Sequence, residues 1–496
     1  MSAIKKTFGR KCVWLFLVTA AFSLCFFWYS SPLFKQAGLD AAFFQTVGQG
    51  MTRGMLPYRD FFDMKGPYLF LIEYLGQLIA YGRWGTFIIE FASLYISLFI
   101  ADSIHMLAGK TMGALKRIAL LIPYLWIAAV TFEGGNLTEE FCLPFLLGCF
   151  YLCLKYISGI GNEAKHKPLY AAWYGFSFGF IALIRITNAV SIAAIVLTVL
   201  VILIKNRAWK NLLANAISFI AGMAISVVPA CAYCTANGIL EDMLYCVFVF
   251  GYKYAGDGGF IVPFNLIRRI YLYVQAFIPV ILVFACRTPK NIKKPLIGLA
   301  IANLVMLTLM FMVGNNFKHY YMLALPAMTA GFFALLKDES VKGGERFKLQ
   351  PKRFKLAVIA AVLILCMAGP WVVKAAKQGV NMLADRNPGK NAMEIAAAIP
   401  ETDRESVFCY GNHCSEFYTY TGIFPCIKYC DWQEHYTGLV PEIGEEIRRM
   451  FAENPPEWLV FKKGSPVSDY MKAIAENQYS LCSENGGYFL FELKTQ

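Results

Sequence analysis

Residues 67–82 read PYLFLIEYLGQLIAYG, and the side of the membrane on which every later loop lies depends on how this stretch is read. It is apolar, but it falls short of the ~20 residues needed to cross a bilayer. It also carries Glu73 and Gln77. Length and composition predict an interfacial or re-entrant helix, not a span.

A membrane protein is what the rest of the chain requires. Of 496 residues, 57% are hydrophobic and 16% are charged, against about half and about a quarter in soluble domains. Further apolar runs fall near 12–29, 84–108, 118–131, 140–157, 169–185, 188–204, 212–235, 263–285, 296–313, 321–336 and 356–373. With 67–82 held at the interface, the Lys- and Arg-rich loops collect on one side. These are the loops around Lys110, Lys116 and Arg117, Lys165 and Lys167, Lys205, Arg207 and Lys210, Arg287 to Lys294, and the stretch 337–355. The positive-inside rule makes that side cytoplasmic. The expected fold is therefore an α-helical polytopic membrane protein of about eleven spans, with its N-terminus in the cytoplasm and its C-terminus outside. Lys5, Lys6, Arg10 and Lys11 precede the first run as in a signal peptide, but FFWYSSP closes it without a small-residue cleavage site, so an uncleaved span is expected.

The net charge of +13 does not indicate a nucleic-acid partner. From Asn381 onward the chain has 10 Lys and Arg against 17 Asp and Glu, so the soluble part is acidic and the basic excess lies in membrane loops. Within 381–496, ESVFCYG, WLVFKKG and GYFLFELK read as strands, while PEIGEEIRRMFAENP and SDYMKAIAENQ have helical periodicity. A small extracytoplasmic α/β domain is expected there, following a membrane domain over 1–380. Five of the fifteen cysteines lie in this region. Their spacing allows a Cys409–Cys414 or a Cys426–Cys430 bridge without deciding between them; as a zinc site the pattern is weak.

The chemistry concentrates in the first outer loop, 30–83. Asp40 follows the first span, and RDFFDMKGPYLF at 59–70 brings Arg59, Asp60, Asp63 and Lys65 up to the interfacial helix. An ammonium at a membrane surface pairs with phosphate oxygens, and a carboxylate takes a proton from an attacking hydroxyl. The competing reading is a set of solvated loop charges. In the second outer loop, TFEGGNLTEEFCLPF, Glu139 is the first candidate, then Glu133 and Glu140; Thr138 followed by acids also fits a helix start. Arg185 interrupts an apolar run near the outer face, as a phosphate ligand or a snorkelling cation. Lys318, His319 and Tyr320 occupy GNNFKHYYMLALP, placed for carbohydrate or phosphate contact or for an interfacial aromatic belt. The outer loop 236–262, with Tyr252, Lys253, Tyr254 and Asp257, is a candidate gate.

An Asp after the first span, then G-M-L-P-Y-R-D and D-M-K-G-P, resembles the first outer loop of bacterial glycosyltransferases of the multi-spanning GT-C fold. Protein O-mannosyltransferases and the aminoarabinose transferase of lipid A are among them. The resemblance is strongest over 38–70. It implies a polyprenyl-phosphate-sugar donor, an envelope glycan, lipid or protein as acceptor, Asp40 as base or acceptor-positioning acid, and Lys65 on the donor phosphate. It also implies a second acid beside the next span, here Glu139. Many relatives carry another acid within two residues of the first, where this chain has Ala41 and Ala42. That departure weakens a divalent-metal reading of the loop, and no other cofactor is implied. The rival class is a transporter or flippase of a lipid-linked sugar, which would carry mid-membrane charge pairs and often repeat symmetry. No nucleotide-binding loop is present in the sequence.

Overall fold

The computed structural model describes residues 2–109, 112–159, 165–257, 270–312, 317–337 and 351–494. The chain begins with α1 (Ser2–Phe26), α2 (Leu39–Met51) and α3 (Pro67–Ile79). α3 is the stretch quoted at the outset. At about 1.5 Å per residue, its 13 residues reach about 20 Å, short of a ~30 Å hydrocarbon core. It packs against α2, α4 (Arg83–Met106) and α7 (Pro168–Arg185).

Among the described residues, seven segments are long and apolar enough to cross a membrane, and Lys11–Phe26 and Leu272–Ala285 are shorter apolar helices. They include α4, α5 (Ala114–Thr131), α6 (Thr138–Gly159) and α9 (Trp209–Ala236). The segment Pro168–Lys205 divides at Arg185, after which a 3₁₀ turn over Ile186–Ala189 leads into α8 (Val190–Lys205). The expected run 263–285 begins on residues outside those described; its remainder forms the helix Ile270–Ala285.

Two sequence expectations need correction. Arg117 is not a loop charge. It lies in the first turns of α5, buried, and pairs with Asp102 on α4, which also binds Lys11 on α1 at 2.8 Å. One carboxylate between two cations fastens three helices, with each charge compensated as burial demands. The described part of the segment 236–262, up to Asp257, is also not an open loop; 258–262 lie outside the described residues. Leu240–Leu244, a π-helical turn at Tyr245–Phe250, and Gly251–Asp257 run on as helix. Its Phe250 ring lies 4.8 Å from that of Phe62 and 5.1 Å from that of Tyr436.

After the long helix Pro351–Ala384, the C-terminal region forms a four-stranded sheet in the order β1 (Val407–Tyr410), β2 (Trp458–Lys462), β4 (Tyr488–Leu493), β3 (Tyr479–Glu484). β1 and β2 are parallel; the other pairs are antiparallel. The fully buried VFCY of β1 and the near-continuous apolar WLVFK of β2 place them at the core of this unit. The parallel pair requires a crossover, supplied by the helices Ser415–Thr421, Gln433–Leu439 and Pro441–Glu453. β3 was not foreseen; YSLCSE has a largely exposed pattern that carries little signal. Cys409, Cys414, Cys426 and Cys430 are free thiols, so neither candidate bridge forms.

The sheet unit docks on the segment 30–83 through both backbone and side chains. Phe62 donates its N–H to the Lys428 carbonyl at 2.9 Å, the Thr419 hydroxyl donates to the Ala42 carbonyl at 3.1 Å, and the Ala37 N–H donates to the Tyr420 hydroxyl at 2.7 Å.

Candidate functional site

Between the helical part and the C-terminal unit lies a cavity of about 460 Å³. Asp40, Asp63, Lys65, Glu133, Glu139, Arg185, Lys318, His319 and Tyr320 all line it. Arg59 and Asp60 do not. They pair with each other at 2.8 Å, and the Asp60 carboxylate accepts the Leu56 N–H at 2.7 Å, so together they shape the turn. Glu140 is also absent from the lining; it is buried behind the loop, beside Glu90.

Each site residue is placed by a local device. Asp40 sits in the first turn of α2, where a carboxylate meets the positive end of the helix. It is half-buried and has no hydrogen-bond or ion-pair partner among the described residues. The K-G-P motif has a steric cause. A Cβ on Gly66 would lie 2.0 Å from the Leu183 carbonyl oxygen, and the Gly66 N–H donates to the Ile184 carbonyl at 2.9 Å. Only glycine allows this approach, which sets Lys65 beside the end of α7 and its Arg185. Pro67 then opens α3 at a position where its missing N–H costs nothing. The Lys65 backbone is pinned on both sides: its N–H donates to Asp63 at 2.6 Å, and its carbonyl accepts the Tyr58 hydroxyl at 2.9 Å.

The Lys65 ammonium stands 3.8 Å from Asp63, a loose pair that leaves donors unspent. Burial pulls its pKa down, but the Asp63 and Asp40 charges outweigh burial and raise it, so it stays charged. Arg185 is held more firmly. It binds Glu139 at 3.0 Å and the Tyr320 hydroxyl at 2.6 Å, with the guanidinium 4.2 Å from the Tyr320 ring centre. Thr138 is the first residue of α6, and its hydroxyl donates to Glu139 at 2.8 Å. The expected cap is therefore used to orient the Arg185 partner instead.

The loop before α6 has four consecutive positive φ values: Glu133 (47°), Gly134 (108°), Gly135 (89°) and Asn136 (57°). Two of these residues are not glycine, a conformation that persists only where surroundings enforce it. The Glu133 carboxylate binds Lys318 and His319, each at 3.0 Å. Burial would raise its pKa, but the His319 hydrogen bond and the charges of His319 and Lys318 bring it down to about 2.

Sequence reasoning did not single out the other wall. His413, Asp431, Trp432, His435 and Tyr436 of the C-terminal unit line the cavity, as do Trp371 and Lys374 from the helix Pro351–Ala384; of the candidate gate residues Tyr252, Lys253, Tyr254 and Asp257, Tyr254 alone lines it. One signal was available: the chain has only five histidines, and three of them, His319, His413 and His435, meet here. Asp431 is buried and accepts several hydrogen bonds, which favour its charged form, yet burial prevails and pushes its pKa up to about 6. Among the described residues, no group of three or more His, Cys, Asp or Glu is arranged to hold a metal ion.

Comparison with known proteins agrees with this architecture. The family model described as "Putative competence-induced protein Ccs4 N-terminal domain" matches residues 5–360. Among solved structures, ArnT from Cupriavidus metallidurans bound to undecaprenyl phosphate aligns with a TM-score of 0.60 at 12% identity, covering 96% of this chain and 97% of that one. The same protein in the apo state gives 0.55 at 11% identity with the same coverage. The chain therefore has the GT-C fold that its segment 38–70 resembles. A search of curated proteins finds no match.

Proposed function

Because the chain belongs to the Ccs4 N-terminal-domain family and shares its fold with ArnT, we propose that it is a membrane glycosyltransferase using a polyprenyl-phosphate-linked sugar. The acceptor is an extracytoplasmic hydroxyl of a glycan, lipid or protein. The observation that carries this reading is a single cavity bringing together Asp40, a carboxylate with no partner among the described residues, and two half-buried cations, Lys65 and Arg185. The neighbouring fold was crystallised with undecaprenyl phosphate, which supports a carrier of that class.

In the reaction, the acceptor oxygen forms a bond to the anomeric carbon and its proton passes to the Asp40 carboxylate. The bond between the anomeric carbon and the phosphate oxygen breaks, and the electron pair leaves with the polyprenyl phosphate. Lys65 and Arg185 stabilise the charge that develops there. Glu139 does not need to touch substrate: by pairing with Arg185 it keeps a long cation aimed at one place. Glu133 does the same for Lys318 and His319, leaving Tyr320 stacked under the guanidinium. The orientation that suits this chemistry has the cavity and the C-terminal unit outside and the N-terminus in the cytoplasm.

The direct test is binding of undecaprenyl phosphate to the purified chain in detergent, with undecaprenol as the uncharged control. The phosphate is expected to bind in strong preference to the alcohol. Lys65→Ala is expected to weaken it by roughly tenfold or more, the loss of a charge-assisted contact. Equal binding of phosphate and alcohol overturns the reading.

A further inference from the structure

The C-terminal unit contributes a wall whose construction is unlike the rest of the cavity. His413 and Trp432 both have left-handed backbones, φ +60° and +56°, a region that bulky L side chains rarely adopt. The two strained residues flank a single clasp. The buried Asp431 carboxylate accepts the N–H groups of Cys414 at 3.1 Å, Ser415 at 3.4 Å and Trp432 at 2.9 Å, and the Ser415 hydroxyl at 2.5 Å. Asp431 thus fastens the turn carrying His413 to the corner carrying Trp432. Strain of this kind persists only where the surrounding structure enforces it, and it clusters at active sites and ligand clamps.

The result is a compact aromatic group. The His413 ring stands edge-on to the indole at 4.4 Å and 80°, and His435 lies 6.0 Å away at 68°. Tyr254 closes on His435 at 5.5 Å. Polar atoms remain unspent: His413 Nδ1 is buried with no partner, and the indole N–H has none among the described residues. A phosphate would call for free cations; those lining the cavity, Lys65, Arg185, Lys318 and Lys374, belong to the helical part, and Lys462, which donates to the His413 carbonyl at 3.0 Å, is spent on Glu416 at 2.7 Å. A polyprenyl tail would call for an apolar surface without N–H groups. A flat apolar ring with free nitrogen atoms at its edge suits a ligand with a C–H face and a rim of hydroxyls, which is a pyranose or furanose ring.

We propose that Trp432, flanked by His413 and His435, is a sugar-ring platform, so that the C-terminal unit takes part in selecting the carbohydrate handled in the cavity. This rests on the transferase reading above and names its recognition element; Asp431 is the positioning residue of the platform. The same ring chemistry can arrive on the lipid carrier or on an acceptor glycan, and the test separates the two.

The full chain in detergent is titrated with undecaprenyl phosphate, with the same carrier bearing glucose, mannose or N-acetylglucosamine, and with free chitotriose. At least one carrier-linked sugar is expected to bind roughly five- to tenfold tighter than the bare carrier. Trp432→Ala is expected to bring that ratio close to one, while Trp432→Phe keeps most of it. Loss of chitotriose binding in Trp432→Ala, with the carrier ratio intact, assigns the platform to the acceptor and supports it equally. His413→Ala is a second variant, read in the same way should Trp432→Ala not remain monodisperse. If no sugar improves on the bare carrier and chitotriose does not bind, the platform is overturned. It is overturned as well if both alanine variants keep the wild-type ratio and chitotriose affinity. Failure of wild type to bind the bare carrier in preference to undecaprenol counts against the transferase reading instead, and the chitotriose arm still reads the platform.

Discussion

Asp40 is the residue on which the proposed chemistry turns, and its distinguishing feature is isolation. Among the acids that line the cavity, Asp63, Glu133 and Glu139 each sit against a cation and Asp431 is taken up by backbone N–H groups, while Asp40 has no such partner among the described residues. A carboxylate already committed to an ion pair is a poor base for an incoming hydroxyl, so the free one is the candidate. Asp40→Asn keeps the shape and removes the basicity. Sugar transfer in membranes supplied with a polyprenyl-phosphate donor is expected to fall by about 10²–10⁴-fold, the usual range for losing a general base, with carrier binding retained within a few-fold. Transfer at the wild-type rate would remove Asp40 from the mechanism. Asp40 and Lys65 were legible in the sequence because a short local motif brackets them. Trp432 and His413 were not, because their placement comes from a clasp joining positions 414–415 to 431–432 and from backbone angles that no periodicity records.

At the scale of elements, the site is held by two unusual connections. The turn before α3 brings Lys65 to Arg185 only because Gly66 has no side chain. Gly66→Ala must push the backbone away from the Leu183 carbonyl, and overpacking of this kind costs about 1–3 kcal/mol. The displaced ammonium is also expected to lose affinity for undecaprenyl phosphate by more than the stability change accounts for. Thermal unfolding and carrier titration on the same preparation separate the two effects; an unchanged affinity would mean that the close approach does not position Lys65. The short apolar α3 was legible from its length alone, and β1, β2 and β4 from their apolar runs. The helical stretch Leu240–Asp257 was missed. Its polar residues, Glu241, Asp242, Lys253 and Asp257, read as loop, while tertiary contacts of Phe250 with Phe62 and Tyr436 favour helix. The local sequence does not contain those contacts.

At the scale of the whole molecule, the proposal requires the cavity to open on the side away from the basic loops. The Lys11–Asp102–Arg117 cluster joins the N-terminal half of α1 and the first turn of α5 to the C-terminal end of α4. The cavity lies at the opposite ends of these helices, where Trp28, Ala129 and Glu133 line it. The two charged regions are therefore separated by the length of the helices, and a membrane must lie between them if α4 and α5 cross it. Gly113, just before α5, and the C-terminus then face opposite compartments. An epitope inserted at Gly113 is expected to be reached by antibody only after the cells are permeabilised, whereas one following Gln496 is expected to be labelled on intact cells. Both tags must leave carrier binding in place for the result to count. Labelling of the Gly113 tag from outside would put the cavity, with Asp40 and Lys65, in the cytoplasm. A donor presented on the outer face could then not reach them, and the positive-inside argument built on α3 staying at the surface would fail with it.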